Sequence, residues 1–422
     1  MTRRLFLVDH MCVLPYGHNL NALALFKKAF DPAFSEIISL VPRILPRYIK
    51  GTEHLHRVLN FPYTGYLPRP SKKAASPGLT ESPPSIFRRR VLDYSALAYM
   101  IGVRRLSDVI GVDILRSATR KNWQRIFRQF QIGSDDVILF PSSDFYGVVS
   151  LLDFLATRDP LSSPHVHIRL IGVAENGNFS SGSVRPIFLD GLRKALQAGL
   201  RISVSAETPK YAHYLERLIS APVTYFPYPP AGEDHPLRWG DVKAICSPGQ
   251  GRADKGFFRI FPIVSDLFLI GGKKFEIIIQ NMRKTDPYYR KRYESILKNL
   301  PGVKLLNAQL RQEEIDKSYI DADIIILPYD RDSYALRGSA VYQEVLAFGR
   351  PVVCSKGTAL ADQVVMYGNG YLADSDSEFA DQILKLSTKP LSEIKTMVEE
   401  ARTHYFADFN KALQRITETL TQ

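Results

Sequence analysis

The stretch 323-DIIILPYDRDSYALRGSAVYQEVLAFGRPVVCS-355 decides the fold. Its first apolar run has no polar face, so it reads as a strand buried on both sides. A polar loop follows, then Gly338 and Ser339 open a helical stretch over 339–348, and 351-PVVCS-355 forms a second buried strand. Two such strands joined through a helix make a right-handed crossover, which requires a parallel sheet covered by helices on both faces.

The same alternation extends upstream through strand 243-KAICSP-248, a helix over 254–268, strand 275-FEIIIQ-280, a helix over 286–300, strand 303-VKLLN-307 and a helix over 311–320. Before it, 227-PYPPAGEDHPLRWG-240 has no periodicity and reads as a linker. The first half repeats the pattern: strand 5-LFLVDH-10, a helix from Asn19, strand 136-DVILFPSS-143, a helix over 146–158, strand 165-HVHIRLIG-172, a helix over 182–199, strand 201-RISVSAE-207, a helix over 208–219 and strand 221-APVTYFPYP-229. The expectation is α/β: two Rossmann-like doubly wound domains, 1–229 and 241–390, followed by a helical tail, 391–422, that crosses back to the first. Residues 67–85, rich in Pro, Ser and Lys, read as a mobile insert. The region 86–130 reads as basic and helical, with Lys121, Arg125 and Arg128 opposite Trp123, Ile126, Phe127 and Phe130.

Composition narrows the function. The chain has 422 residues and is 45% hydrophobic, ample for two cores. No apolar run approaches the roughly 20 residues of a spanning helix, and the amino terminus lacks a signal peptide's apolar stretch of roughly 7 to 15. A cytoplasmic location is expected. Cys12, Cys246 and Cys354 are scattered and read as buried free thiols. The net charge of +12 is concentrated in residues 1–128, which hold 21 Lys and Arg against 8 Asp and Glu. Such a local excess points to an anionic partner. Nucleic acid is disfavoured because no recognition motif is present. The pairs His54 with His56 and His165 with His167 lack a third ligand at suitable spacing, so no metal is expected.

Two segments carry chemistry. In 247-SPGQGRADKGFFRIFP-262, glycines follow a strand and precede a helix, with Arg252 and Lys255 in the turn. Glycines admit an anion to the backbone, amides point at it, and the cations neutralise it. The segment meets neither the dinucleotide fingerprint nor the P-loop pattern. In the second segment, Gly338 and Ser339 would present helix amides to the same anion, and Glu344 could accept hydrogen bonds from vicinal hydroxyls such as those of a ribose. As alternatives, the Gly338-Ser339 pair is an ordinary cap and Glu344 a surface helix residue.

At these residues the sequence resembles the nucleotide-sugar glycosyltransferases of the GT-B fold, in particular the retaining group called family 4 or group 1. The GR-x-x-x-KG-like turn of that group is matched in shortened form by 251-GRADKG-256, and its Glu-x7-Glu element running into A-x-G-x-PVV by 344-EVLAFGRPVV-353. The resemblance spans roughly 240–375. It implies a nucleotide-diphosphate sugar as donor, bound in a cleft between the domains, with no cofactor and no metal. Arg252 and Lys255 would hold the diphosphate and stabilise the leaving nucleotide, with Gly251 at the turn. Arg337, Gly338 and Ser339 would cap the phosphates and Glu344 would hold the ribose. The first glutamate of Glu-x7-Glu is replaced by Leu336. In the family that position contacts the donor sugar.

The sequence is therefore expected to be a glycosyltransferase acting on a surface glycan or lipid-linked acceptor, peripheral on the inner face of an anionic membrane, with a retaining outcome favoured. An inverting enzyme would need a general base, for which His18, and after it His10, stand in the first domain. The alternatives are a nucleotide-sugar epimerase on the same scaffold and a degenerate transferase kept for binding. Glu207 precedes the helix cap Thr208, and Asp330 and Asp332 read as turn formers.

Overall fold

The computed structural model describes residues 3–13, 18–47, 52–60, 113–172, 184–230, 244–271, 275–284, 286 and 288–422. The insert 67–85, Gly17, residues 86–112 of the basic region and most of the linker lie outside the described residues. The chain divides into two compact units: Met1–Ala206 with Ala212–Tyr225 and Arg415–Gln422, and Glu207–Tyr211 with Phe226–Gln414.

The first unit holds a seven-stranded sheet of β1 (Arg4–Val8), β2 (Glu36–Pro42), β3 (His56–Leu59), β4 (Val137–Phe140), β5 (His165–Leu170), β6 (Ile202–Ala206) and β7 (Val223–Tyr225) in the order β3-β2-β1-β4-β5-β6-β7. Its pairings are parallel. Strands β2 and β3 were not anticipated from the sequence. Helix α1 (His18–Phe30) follows β1, and α2 (Ile114–Phe130) follows β3 among the described elements. Helix α2 buries Trp123, Ile126 and Phe127 and exposes Lys121, Arg125 and Arg128, as the amphipathic reading expected. It is tied to the β3 edge through Asn122, whose Oδ1 accepts from the Asn60 amide at 2.8 Å and whose Nδ2 donates to the Val58 carbonyl at 3.0 Å. The last turn of the chain belongs to this unit, where Arg3 Nη1 donates to the Leu420 carbonyl at 2.7 Å.

The second unit holds β8 (Ala244–Ser247), β9 (Glu276–Gln280), β10 (Val303–Leu306), β11 (Ile324–Leu327), β12 (Val352–Ser355) and β13 (Gly370–Ala373) in the order β10-β9-β8-β11-β12-β13. All its pairings are parallel. In β11, Ile324 and Ile326 enter one core with Ile245, Ile277 and Ile279, while Ile325 and Leu327 enter the other with Cys246 and Cys354. Alternate side chains of one strand thus meet two helical layers, which is why the sequence shows no polar face. All three cysteines are free and buried, and burial pushes their thiols up.

In both sheets the first and fourth strands in each unit's order lie side by side, with their connections diverging to opposite sides. That junction is where open α/β sheets bind ligands, beyond the carboxyl ends of the strands. In the second unit it lies between β8 and β11, so the loops after Ser247 and Leu327 converge there. Gly256 sets the first of these loops, at φ +71°, with its α-carbon against the Pro328 carbonyl of the second. A Cβ there would meet that backbone oxygen. Gly368, at φ +76°, ends a helix with nothing within 4 Å of the corresponding Cβ position. Gly368→Ala is therefore expected to cost about 1 kcal/mol, for the left-handed conformation alone, and Gly256→Ala at least about 2 kcal/mol more, as read from denaturant midpoints at constant m-value.

Candidate functional site

The sequence between β8 and the next α-helix, α3 (Ile260–Gly271), does not run directly into that helix. Two 3-10 turns, Ala253–Lys255 and Phe257–Arg259, intervene. The anticipated helix over 254–268 thus starts later, and the amides at the turn are those of tight 3-10 geometry. Gly251 bridges to Met282 beyond the end of β9, its amide donating to the Asn281 carbonyl at 3.1 Å. A side chain at Gly251 would strike the Phe257 ring at 2.6 Å, so this glycine is what lets the loop fold over that ring.

The loop places Arg252 and Lys255 on either side of Asp254. The Arg252 guanidinium grips Asp254 with two bonds, Nε to Oδ1 at 2.8 Å and Nη2 to Oδ2. From the loop after β11, Arg337 Nη1 reaches the same Oδ2 at 3.6 Å. The two loops are also joined by the Asp330 amide donating to the Asp254 carbonyl at 2.9 Å. Burial would push the Asp254 carboxyl up, but the Arg252 hydrogen bonds and the charges of Arg252, Arg337 and Lys255 hold it below the usual range. Lys255 lies over the Tyr329 ring, 5.7 Å from its centroid, and Arg337 over Tyr334 at 4.9 Å, while the two tyrosine rings pack at 4.5 Å. Burial first, then the neighbouring Arg252 and Arg337, lower the Lys255 ammonium to about 7, against the pull of Asp254 and Glu344. Three cations thus share one loop cluster with Asp254 as their central counter-charge, a setting that an arriving anion relieves.

Ser339 is the N-cap residue of the helix α4 (Ala340–Ala347), as anticipated, yet its hydroxyl makes no cap bond. It lies 3.4 Å from the Tyr329 hydroxyl instead. Glu344 sits in that helix, buried rather than on a surface, and accepts from the Tyr319 hydroxyl at 2.6 Å. Burial and the Glu344 charge push the Tyr319 hydroxyl well up, so it stays a donor. Gly251, Arg252, Lys255, Arg337, Gly338, Ser339 and Glu344 therefore all belong to the two loops and helix at the β8–β11 junction. Asp254 and Tyr329 belong there too and were missed. The carboxylate between Arg252 and Lys255 was the available signal for Asp254, while an aromatic after a buried strand carried none for Tyr329. The Asp330 side chain accepts from the Ser333 amide at 2.8 Å, capping a short helical turn, and Asp332 is exposed.

In the first unit, His18 is the first residue of α1. His10 Nδ1 lies 3.1 Å from Asp144 Oδ1, both buried, with its ring stacked on Phe140. His165 and His167 form a polar ladder across β5 and β6: His167 contacts Ser203 and Ser205 at 2.8 Å each and His165 contacts Ser203 at 3.1 Å. Burial depresses their imidazoles to about 4 and about 3, so both are neutral. Among the described residues no group of three or more His, Cys, Asp or Glu side chains is placed to hold a metal ion. Among the same residues no helix is long and apolar enough to cross a membrane.

The family of glycosyl transferases group 1 matches residues 268–389, which include β9 to β13 and α4. No curated protein sequence matches the chain. Among solved structures, sucrose-phosphate synthase from Thermosynechococcus elongatus is similar with a TM-score of 0.61 and 15% identity, covering 99% of this chain and 98% of its own. A trehalose-6-phosphate structure from E. coli, bound with UDP-2-fluoro glucose, is similar with a TM-score of 0.60 and 12% identity, covering 99% of each chain. A glycosyltransferase from Rickettsia africae is similar at 0.59 and 11%, covering 99% of this chain and 97% of its own. At these identities the likeness speaks for the fold, and the family match speaks for the second unit. The chain has the GT-B architecture of two doubly wound units, and residues 268–389 of its second unit match the family of glycosyl transferases group 1.

Proposed function

We propose that the chain transfers a sugar from a nucleotide-diphosphate donor, and that the cluster of Arg252, Lys255 and Arg337 around Asp254 holds the donor's diphosphate. The observation that carries this is three cations brought to the ligand-binding junction of a doubly wound sheet, with one ammonium lowered by burial and then by its neighbours. Transfer passes through an oxocarbenium-like state, and the departing diphosphate must be stabilised as charge builds on it. Arg252 and Lys255 are proposed for that task. Gly251, Gly338 and Ser339 would let the backbone approach the phosphates, and buried Glu344 would receive the ribose hydroxyls. No metal is required in this reading, because the cations supply the charge.

In the same proposal, residues 1–229 form the acceptor side, 241–390 the donor side, and 391–422 the tail returning to the first. A retaining outcome is favoured, and His18 is the base if the outcome is inverting. The exposed Lys121, Arg125 and Arg128 would add on the order of 1 kcal/mol each of attraction to an anionic membrane face, suiting a peripheral cytoplasmic enzyme that extends a surface glycan or lipid-linked acceptor. The E. coli structure of the same fold is bound with UDP-2-fluoro glucose, which supports a nucleotide-sugar donor here.

The reading is tested by melting the purified protein with UDP, GDP, ADP, CMP, dTDP and their sugars. A ligand at about a hundred times its Kd is expected to raise the melting temperature by roughly 5 to 10 °C. Lys255→Ala is expected to abolish that shift, and Lys255→Ala and Glu344→Ala to abolish product formation. Transfer unchanged in both variants contradicts the site.

A further inference from the structure

The resemblance places a sugar-contacting carboxylate where this chain has Leu336, and the structure brings a different carboxylate to the same turn. Glu207, the residue after β6, is 5% exposed and belongs to the compact body of the second unit. Its carboxyl group lies directly against Gly338. A Cβ on Gly338 would stand 2.5 Å from Glu207 Oε2, 2.6 Å from Cγ and 2.7 Å from Cδ. Gly338 has no left-handed φ, so the contact, and not the backbone, is what requires glycine there. The neighbouring Thr208 fixes the approach: its hydroxyl donates to the Leu336 carbonyl at 2.9 Å and accepts from the Tyr211 amide at 3.1 Å.

A carboxylate beside Arg337 and the start of α4 is out of place if that turn receives phosphate alone, since like charges repel at close range. It fits a ligand with a neutral, hydroxyl-bearing part next to its anionic part, because an ionised carboxylate accepts from two hydroxyls at once. Building on the donor-site reading, we propose that Glu207 is the specificity-determining carboxylate that receives the hydroxyl groups of the donor sugar, supplied here from the end of β6 in place of the glutamate that Leu336 replaces. Gly338 keeps the space for it, and Thr208 sets its distance from the turn.

The test compares two ligands on full-length protein, the nucleoside diphosphate selected by the melting screen and the same nucleotide carrying its sugar, by titration calorimetry. Glu207→Gln is expected to weaken the nucleotide sugar about tenfold and to leave the diphosphate within about twofold of wild type. Equal weakening of both ligands would mean that Glu207 only braces the turn, and no change in either would mean that it faces no ligand; each overturns the proposal. Glu207→Asp keeps the charge but shortens its reach, so it is expected to show the same split if Glu207→Gln proves poorly folded. Failure of wild type to bind either ligand overturns the donor-site reading itself, a result distinct from both.

Discussion

The structure of the candidate site depends on one constraint: three cations, Arg252, Lys255 and Arg337, are held around Asp254. Mutual repulsion would drive such groups apart into solvent, where each would be hydrated. They stay because each is tethered separately. Arg252 is locked by two bonds to Asp254, Arg337 lies on Tyr334, and Lys255 lies over Tyr329. Burial first, and then the neighbouring Arg252 and Arg337, lower the Lys255 ammonium from 10.5 to about 7. In the proposed reading, a diphosphate placed among these cations would offset their mutual repulsion and, during transfer, would be stabilised by them as it leaves.

The remaining architecture serves to keep that cluster in place. The order β10-β9-β8-β11-β12-β13 brings the loops after β8 and β11 together. Gly256 permits their contact at the Pro328 carbonyl, and the Asp330 amide bonds one loop to the other. Helix α4 is almost wholly buried, which fixes both the Ser339 end and Glu344. Tyr319, from the helix before β11, then holds Glu344 by its hydroxyl.

Much of this was legible in the sequence because the second unit is strongly patterned. Strands β8, β11 and β12 are apolar on both faces, and glycines stand between strand and helix after β8 and before α4, so the alternation and the two loops could be read locally. The strands β2 and β3 escaped because 36-EIISLVP-42 ends on a proline, where the pairing with β3 shifts register, and 56-HRVL-59 is short, polar at its start and secured by Asn60 and Asn122, residues far apart in sequence. Lys255 was legible as a cation, but its lowering depends first on burial in the folded site, then on Arg252, and also on Arg337 from another loop. Glu207 read as a residue beside a helix cap because its meaning lies in a partner turn; the bond between Thr208 and Leu336 spans 128 positions. Contacts of that range leave no local signal.

The most direct measurement of the central claim is proton uptake on binding a nucleotide-diphosphate sugar, obtained by calorimetry in two buffers of different ionisation enthalpy. The donor's diphosphate is already fully ionised near neutral pH, so the linked proton must come to the protein. With Lys255 lowered to about 7, about half the molecules at pH 7 carry the ammonium, and bound phosphate raises it again. Uptake of about half a proton is expected at pH 7, rising towards one near pH 8 and vanishing below about pH 6, with none at any of these values in Lys255→Arg. Binding without proton uptake in the wild-type protein would contradict the claim that this crowded ammonium receives the diphosphate.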